Sequence, residues 1–402
     1  MNGQQESNYR WFIVSLSCLT VVFSITAPLI CMPVFFKEIS IELNLNLVQL
    51  GTVWGMYGLA GLFTTLFGGM VGDKFGTKLT LTIACIVAGL MGALRGFSTG
   101  FISLAAAMFL FGFLARTITI SAHKIAGVWF SGRQVVIANG IVATGFGLGF
   151  MLSAMLSDTV LSPLLGGWRN VVFLYGAISI FIGSIWIFTK REPSNKRNED
   201  SSAVPFRQAL SHVLRIKEVW LLALTQLCFT GCVVSVIGYL PLYLRNLGWI
   251  TAHADGALAS LNAAGMVAAL PLSILSGKMN SRKGVLLPIM LITLICVFLL
   301  TFTKGFMVWP LVILVGLVRD GYYSIIATMA METEGIGGTY AGTATGLIWT
   351  FGSIGTFIAP PLGNSFASIH PGLPFAFWGA IIIAPLIILP FLKETGNKDI
   401  KG

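Results

Sequence analysis

Long apolar runs alternate with short polar segments along the whole chain. Each run is long enough to form a helix that crosses a bilayer core, which takes about 20 residues. The pattern predicts twelve such helices, at residues 11–35, 48–71, 79–97, 101–128, 136–157, 169–189, 218–243, 256–277, 284–303, 305–330, 341–363 and 373–392. The first run is too long for a signal peptide and has no small-residue cleavage site, so we expect it to be retained.

The only sizeable polar segment lies between the sixth and seventh runs and is rich in charge, serine and proline. Since six runs lie on either side of it, we interpret it as a linker between two halves. The sequence therefore predicts an all-α membrane protein with an N-terminal six-helix bundle (1–189), a linker (190–217) and a C-terminal six-helix bundle (218–402). We expect it to be a monomer.

The composition agrees with this pattern. Of the 402 residues, 55% are hydrophobic and 10% are charged, which excludes a soluble globular protein, a disordered chain and a disulfide scaffold. All six cysteines lie inside apolar runs without the spacing of a metal site, so we predict neither a metal nor a cofactor. Sequence motifs of common enzyme classes are also absent, so an enzyme is not expected.

The formal net charge of +10 raises the possibility of a nucleic-acid partner, which the positions of the basic residues exclude. Eighteen Lys and Arg lie on the linker side of the predicted helices and five on the other side, at Lys37, Arg95, Arg169, Arg245 and Lys304. Basic residues concentrate on the cytoplasmic side of membrane proteins. We therefore predict a multi-pass protein of the cell (inner or plasma) membrane, with both termini in the cytoplasm.

A glycine-rich polar motif follows the second run. Gly69, Asp73, Lys74, Gly76 and Lys78 have the spacing glycine, three residues, aspartate, basic, one residue, glycine, one residue, basic. This resembles the loop signature of the major facilitator superfamily. Glycines permit a tight turn, and the aspartate can cap the next helix or pair with a basic residue. An ordinary cytoplasmic loop would explain the lysines but not the glycine and aspartate spacing.

The resemblance implies a particular mechanism. In the superfamily, substrate lies near the bilayer midplane between the two halves, and the halves rock to expose it alternately to each side. The resemblance also implies that the first, fourth, seventh and tenth helices line the cavity, and that the loop motif acts as a latch for the outward-open state. No cofactor is implied.

Two arginines lie inside predicted membrane helices. Arg116 is near the centre of the fourth run and Arg319 is at a similar depth in the tenth. An arginine at the bilayer centre costs about 2.5–3.5 kcal/mol, so we expect both to face the cavity. Arginines opposed across a substrate path would bind an anion through planar, bidentate hydrogen bonds. The alternative for each is a structural role, paired with Asp320, backbone carbonyls or a helix end.

Helical spacing adds polar candidates beside each arginine. Thr119 follows Arg116 on one helix face, while Tyr322 and Tyr323 follow Arg319 by three and four residues. We predict these three as further substrate ligands. Asp320, the only acidic residue deep in a run, and His123 are the candidates for proton coupling.

The fourth run, with an arginine followed seven residues later by a titratable group, resembles the organic anion transporters of the superfamily. Those transporters have a glutamate where this chain has His123. We predict a secondary transporter of a small organic anion, of the carboxylate or sulfonate type, working by proton symport or by anion exchange. The alternatives are a drug/proton antiporter and a membrane sensor that binds without transport.

Overall fold

The computed structural model describes residues 3–130, 132–190, 205–278 and 281–395. These residues form helices and loops, without any strand in the described ranges. Twelve long helical segments follow one another: α1 (Asn8–Val34), α2 (Leu47–Phe75), α3 (Thr77–Phe97), α4 (Phe101–Trp129), α5 (Gln134–Leu165), α6 (Trp168–Phe188), α7 (Lys217–Asn246), α8 (Thr251–Lys278), α9 (Arg282–Leu299), α10 (Val308–Glu332), α11 (Gly337–Ser365) and α12 (Leu373–Phe391).

The all-α membrane fold predicted from the apolar runs is confirmed. Within the described residues, nine of the helices are long and apolar enough to cross a membrane by length and composition. The other three, α2, α8 and α11, are 29, 28 and 29 residues long and each overlaps a predicted run. Our expectation of twelve spans remains a prediction for these three.

The same helix pairs pack in both halves. In the first half α1 packs on α5, α2 on α4, and α3 on α6. In the second half α7 packs on α11 and α8 on α10, while α9 packs on α12. The fourth and tenth helices therefore occupy equivalent places, as the resemblance implied. The most extensive contacts between the halves are those of α2 with α11 and of α5 with α8.

A row of glycines on α2 lets the two halves approach closely. Gly51, Gly55, Gly58 and Gly61 recur at steps of four, three and three residues, which places them on one helix face. A methyl group added at Gly55 would lie 2.6 Å from the Phe357 carbonyl oxygen on α11. Small residues of this kind allow helix backbones to pack tightly within a membrane.

The halves are packed less closely toward the linker side. A methyl group added at Gly147 of α5 would lie 2.6 Å from Met266 of α8. At Gly140, nearer the linker side of α5, and at Gly342, near the linker-side end of α11, an added methyl group would meet no atom within 4 Å. The halves are therefore in contact on the α1–α2 loop side, where Arg245 of α7 reaches Glu38 and Asp158, and are packed less closely at these two linker-side positions.

The loop motif forms the turn between α2 and α3. Helix α2 ends at Phe75, and Gly76 has φ of 80°, a left-handed conformation that glycine adopts without strain. Lys78 donates a hydrogen bond to the Thr189 carbonyl oxygen just beyond α6, where a helix end favours a positive charge. The structure describes the backbone of Gly69, Asp73 and Lys74 but not the Asp73 and Lys74 side chains, so the latch role stays a prediction.

One of the charges assigned to a loop is instead part of the core. Arg95 is 0% exposed at the end of α3 and donates hydrogen bonds to the carbonyl oxygens of Pro28 (2.6 Å) and Gly92 (2.9 Å). Its guanidinium lies 4.3 Å from the centroid of the Phe111 ring. The interpretation of Arg95 as a loop charge was wrong, because its side chain lies inside the first half, against two backbone carbonyls and an aromatic face.

Candidate functional site

Arg116 lies where α2, α4 and α11 meet. Its guanidinium is 4.6 Å from the centroid of the Tyr57 ring on α2. A methyl group added at Gly61 would lie 3.6 Å from Arg116 Nε and 2.6 Å from the Ser353 hydroxyl oxygen on α11. The absence of a side chain at Gly61 therefore makes the space into which Arg116 and Ser353 extend.

The charge of Arg116 is not neutralised by the protein in the part of the chain that the structure describes. Its side chain is partly exposed, its buried Nε has no hydrogen-bond partner, and no carboxylate among the described residues is shown paired with it. A ring face stabilises a cation by about 0.5–2 kcal/mol and leaves its N–H groups without acceptors. Arg116 thus retains donors for a ligand.

Arg319 has a complete set of protein partners instead. Its Nε and Nη2 donate to the Asp320 carboxylate at 2.7 and 3.0 Å, and its Nη1 donates to the Asn262 side-chain oxygen at 2.7 Å. The Arg319 side chain is 5% exposed, whereas that of Asp320 is 28% exposed. The structure thus places the carboxylate of Asp320 at the accessible surface with the guanidinium behind it.

The two tyrosines of α10 have different surroundings. Tyr322 is 0% exposed, stacks on Phe229 of α7 with ring centroids 3.5 Å apart, and has a buried hydroxyl with no partner. The structure therefore does not bring Tyr322 to the accessible space. Tyr323 is partly exposed, packs 5.5 Å from Trp349 of α11, and lies within electrostatic reach of both Arg116 and Arg319. One helical step, about 100°, separates the two positions.

The polar residues that follow Arg116 on α4 are also partly exposed. Thr119 donates its hydroxyl proton to the Ala115 carbonyl oxygen of its own helix at 2.9 Å, which leaves its oxygen lone pairs as acceptors. His123 Nδ1 is 3.2 Å from the Asn139 side-chain oxygen on α5, and its ring stacks on Phe146 at 5.9 Å. His123 is therefore engaged with α5, two turns from Arg116.

Two polar side chains of α7 outside the predicted set of ligands are also buried without partners. Gln226 of α7 is 0% exposed, and both polar atoms of its amide lack partners. The buried Thr230 hydroxyl one turn further on has no partner either. Both side chains pack beside Gly352, on the side of α7 that faces α11. Buried amides and hydroxyls without partners are unfavourable unless a ligand or water satisfies them.

A second cluster of charges lies on the α1–α2 loop side; we call it the Arg245 cluster. The Arg245 guanidinium contacts Glu38 at 3.1 Å, Asp158 at 2.8 Å and Asp255 at 2.7 Å. Sequence reasoning missed it because Asp158 and Asp255 each lie one residue beyond a predicted run and Arg245 was counted as a loop charge. The contacts are instead buried, with the Arg245 side chain 2% exposed.

Comparison with known proteins identifies relatives of this chain. The model of the Major Facilitator Superfamily matches residues 12–360. The "Probable galactarate/D-glucarate transporter GudP" of Bacillus subtilis is 24% identical, over 97% of this chain and 94% of the relative. The "Probable nitrate/nitrite antiporter NarK1" of Thermus thermophilus is 24% identical over 87% and 83%, and the "Hexuronate transporter" of Bacillus subtilis is 22% identical over 66% and 65%.

Solved structures share the fold. A bacterial homologue of the human lysosomal transporter Spinster aligns with a TM-score of 0.76 and 17% identity, covering 96% of each chain. The nucleoside transporter NupG aligns with a TM-score of 0.77 and 12% identity, covering 96% of this chain and 98% of the other. At these identities the likeness concerns the architecture alone.

Proposed function

Because the chain belongs to the major facilitator superfamily, we propose that it carries a small organic anion across the membrane by alternating access, with Arg116 as the principal charge ligand. The chain is a secondary transporter and not an enzyme. The observation that carries the proposal is the guanidinium of Arg116, for which the described residues provide no carboxylate, in a region where Arg319 is fully paired.

The energetics favour a ligand for Arg116. An arginine at the bilayer centre costs about 2.5–3.5 kcal/mol, and proteins normally offset this with a counter-charge. The ring of Tyr57 offsets only part of it. An anionic substrate would complete the site by accepting two N–H bonds from the guanidinium, at the contact between the two halves where it can control their closure.

The names of the relatives narrow the substrate class. Two of them are named for galactarate, D-glucarate or hexuronate, which are hydroxylated carboxylates. Such a substrate suits a site with one free guanidinium and the unsatisfied amide and hydroxyl of Gln226 and Thr230. Nitrate is the second candidate, since a relative is named for it and a planar anion also fits a guanidinium. Thr119 and Tyr323 are the nearby polar side chains that we assign to the substrate path.

Asp320 provides a mechanism for proton coupling. As long as its carboxylate holds Arg319, the second arginine contributes no net charge to the site. A proton on Asp320 would break this ion pair and leave Arg319 positive, so that a proton and an anion enter together. We therefore favour proton symport through Asp320 over anion exchange. His123 remains the second candidate, although its side chain contacts Asn139 and Phe146 of α5 and not the Arg319–Asp320 pair.

Topology completes the proposal. We assign both termini and the linker to the cytoplasm, because 18 of the 25 Lys and Arg lie on that side. On this assignment the α1–α2 loop side, where the halves are in contact, faces outward and is the closed outer end. We place the protein in the cell membrane as a monomer, with halves 1–189 and 218–402 joined by the linker.

Uptake into proteoliposomes tests the proposed function. We expect labelled galactarate or glucuronate to accumulate when the outside is made acidic, and to accumulate less without the pH gradient. Unlabelled sugar acids should compete, and nitrate should compete only if it shares the site. In a parallel thermal-shift screen, a bound anion at 100 times its Kd adds about 2.7 kcal/mol of stability. Stabilisation by cationic drugs alone, without uptake of any anion, would overturn the proposal in favour of drug export.

A further inference from the structure

The Arg245 cluster joins the two halves at the closed end. Glu38 lies on the short helix Phe36–Glu42 after α1, and Asp158 lies on α5, so both belong to the first half. Arg245 and Asp255 belong to α7 and α8 of the second half. The guanidinium binds both Glu38 oxygens at 3.1 and 3.2 Å, and both Asp255 oxygens at 2.7 and 2.8 Å.

The cluster has more negative than positive charge. Three carboxylates surround one guanidinium, and the Asp255 and Asp158 side chains are only 0% and 10% exposed. Beyond these four groups, Lys37 acts electrostatically on Glu38, and His253, two residues before Asp255, packs its ring on Trp249. With all three carboxylates ionised, the contact would bury an excess negative charge, which is costly where little water reaches.

We propose that the Arg245 cluster is a proton-binding site, which takes up a proton shared between Glu38 and Asp255 as the two halves close around Arg245. The site is distinct from Asp320, and it rests on the proposed transport by alternating access. Its ligand is a proton from the outer solution, and its function is to make closure of the outer end depend on pH.

The direction of the effect follows from linkage. Opening the outer end separates Glu38 and Asp158 from the second half and returns them to water, while Asp255 keeps Arg245 as a one-to-one partner. The closed state therefore binds protons more tightly than the open state, and low pH favours closure. Glu38 agrees with this sign, because burial in the closed contact raises its pKa, although Arg245 opposes the change.

A distance measurement between the halves tests the proposal. Spin labels are placed through Ile41→Cys in the first half and Ile250→Cys in the second, both well exposed on the outer side, with Cys18 and Cys228 replaced by alanine. The protein is measured in lipid vesicles, without substrate, from pH 5 to pH 8. We expect the short-distance population to grow as pH falls, with the closed-to-open ratio changing up to about tenfold per pH unit for one proton.

Three variants identify the groups responsible. Asp255→Asn and Glu38→Gln each remove one of the excess carboxylates, so both should flatten the pH response. Glu42→Gln is the matched control: Glu42 lies on the same short helix but pairs with Arg169 within the first half, so the wild-type response should remain. If Asp255→Asn does not fold, the pH response of Glu38→Gln alone tests the proposal. The Glu38 side chain is 38% exposed, so we expect this variant to fold.

The proposal is overturned by a wild-type population that does not change with pH, by closure at high pH, or by a full response in Glu38→Gln. Because no substrate is present, this result is independent of the transport assay. Failure of anion uptake with an intact pH response would count against the proposed substrate class and leave the proton site standing.

Discussion

Arg116 and Arg319 lie on equivalent helices of the two halves, yet their electrostatic environments are opposite. Arg319 is neutralised by Asp320, the next residue in the chain, and by Asn262 of α8. Arg116 has an aromatic face and no carboxylate shown among the described residues. The two halves therefore present one free positive charge and one internally paired charge to the space between them.

The difference arises from the neighbours and not from the arginines themselves. Gly265 on α8 leaves room for the Arg319 pair, because a methyl group there would lie 2.6 Å from an Asp320 oxygen and 2.8 Å from Arg319 Nη2. At Arg116 the corresponding space on α2, beside Gly61, is bordered by the Ser353 hydroxyl and the Tyr57 ring. In the proposed mechanism, this asymmetry allows Arg116 in the first half to bind the anion while Asp320 in the second half binds the proton.

The largest expected effect is on transport when the free charge is removed. Arg116→Gln should lower kcat/KM for the anion by roughly 100-fold, which corresponds to about 2.7 kcal/mol for the loss of a buried ion pair with the substrate. Initial rates of uptake into proteoliposomes provide the measurement. The thermal stability of the unliganded variant should stay close to that of the wild type, because no protein carboxylate loses its partner.

Arg116→Lys is the matched variant for this experiment. It keeps the charge but loses the bidentate geometry, so uptake should be intermediate between the wild type and Arg116→Gln. Wild-type rates in Arg116→Gln would show that Arg116 is structural, and the comparison of the two arginines would then lose its functional meaning.

The paired arginine should affect stability more than substrate binding. Arg319→Gln leaves Asp320 without its partner, and we expect unfolding to become easier by about 2 kcal/mol, less than for a fully buried pair because Asp320 is 28% exposed. Adding Asp320→Asn removes the unpaired charge and should restore most of the loss. Thermal unfolding of the wild type, both single variants and the double variant provides the measurement.

Additive effects of the two substitutions on the free energy of unfolding would contradict the pairing of Arg319 with Asp320.

Proton movement during transport tests separately whether Asp320 carries the coupled proton. If Asp320 carries the proton, Asp320→Asn should transport the anion without moving protons, whereas His123→Gln should keep proton movement. Proton movement retained by Asp320→Asn would instead assign the coupling to another group.

The contact between the halves gives the next smaller effect. Gly55→Ala places a methyl group 2.6 Å from the Phe357 carbonyl oxygen, so the closed outer end should be destabilised by about 1–2 kcal/mol. The open-outward population should rise about tenfold in inter-half distance measurements. Gly342→Ala on α11, where an added methyl group meets no atom within 4 Å, is the control and should leave the populations unchanged. Equal effects of both would argue against closure along the glycine row.

The sequence predicted the helices well because membrane insertion depends on composition and length, which are local properties. The apolar runs of α4 and α10 and both internal arginines followed from it directly. It gave the pairing of Arg319 with Asp320 only as an alternative to substrate binding, since adjacent residues on a helix point about 100° apart and side-chain conformation decides whether they meet. It also missed Asp158 and Asp255, because a cluster formed by four separate segments leaves no signal in any one of them.

The smallest expected effect distinguishes the two tyrosines of α10. Tyr322→Phe removes a buried hydroxyl that has no hydrogen-bond partner, so stability should change by less than about 0.5 kcal/mol, toward higher stability, and uptake should be unchanged. Tyr323→Phe removes a hydroxyl in the region between the two arginines, so KM for the anion should rise severalfold with little change in stability. A larger effect on uptake in Tyr322→Phe than in Tyr323→Phe would mean that α10 rotates during transport to expose its buried face.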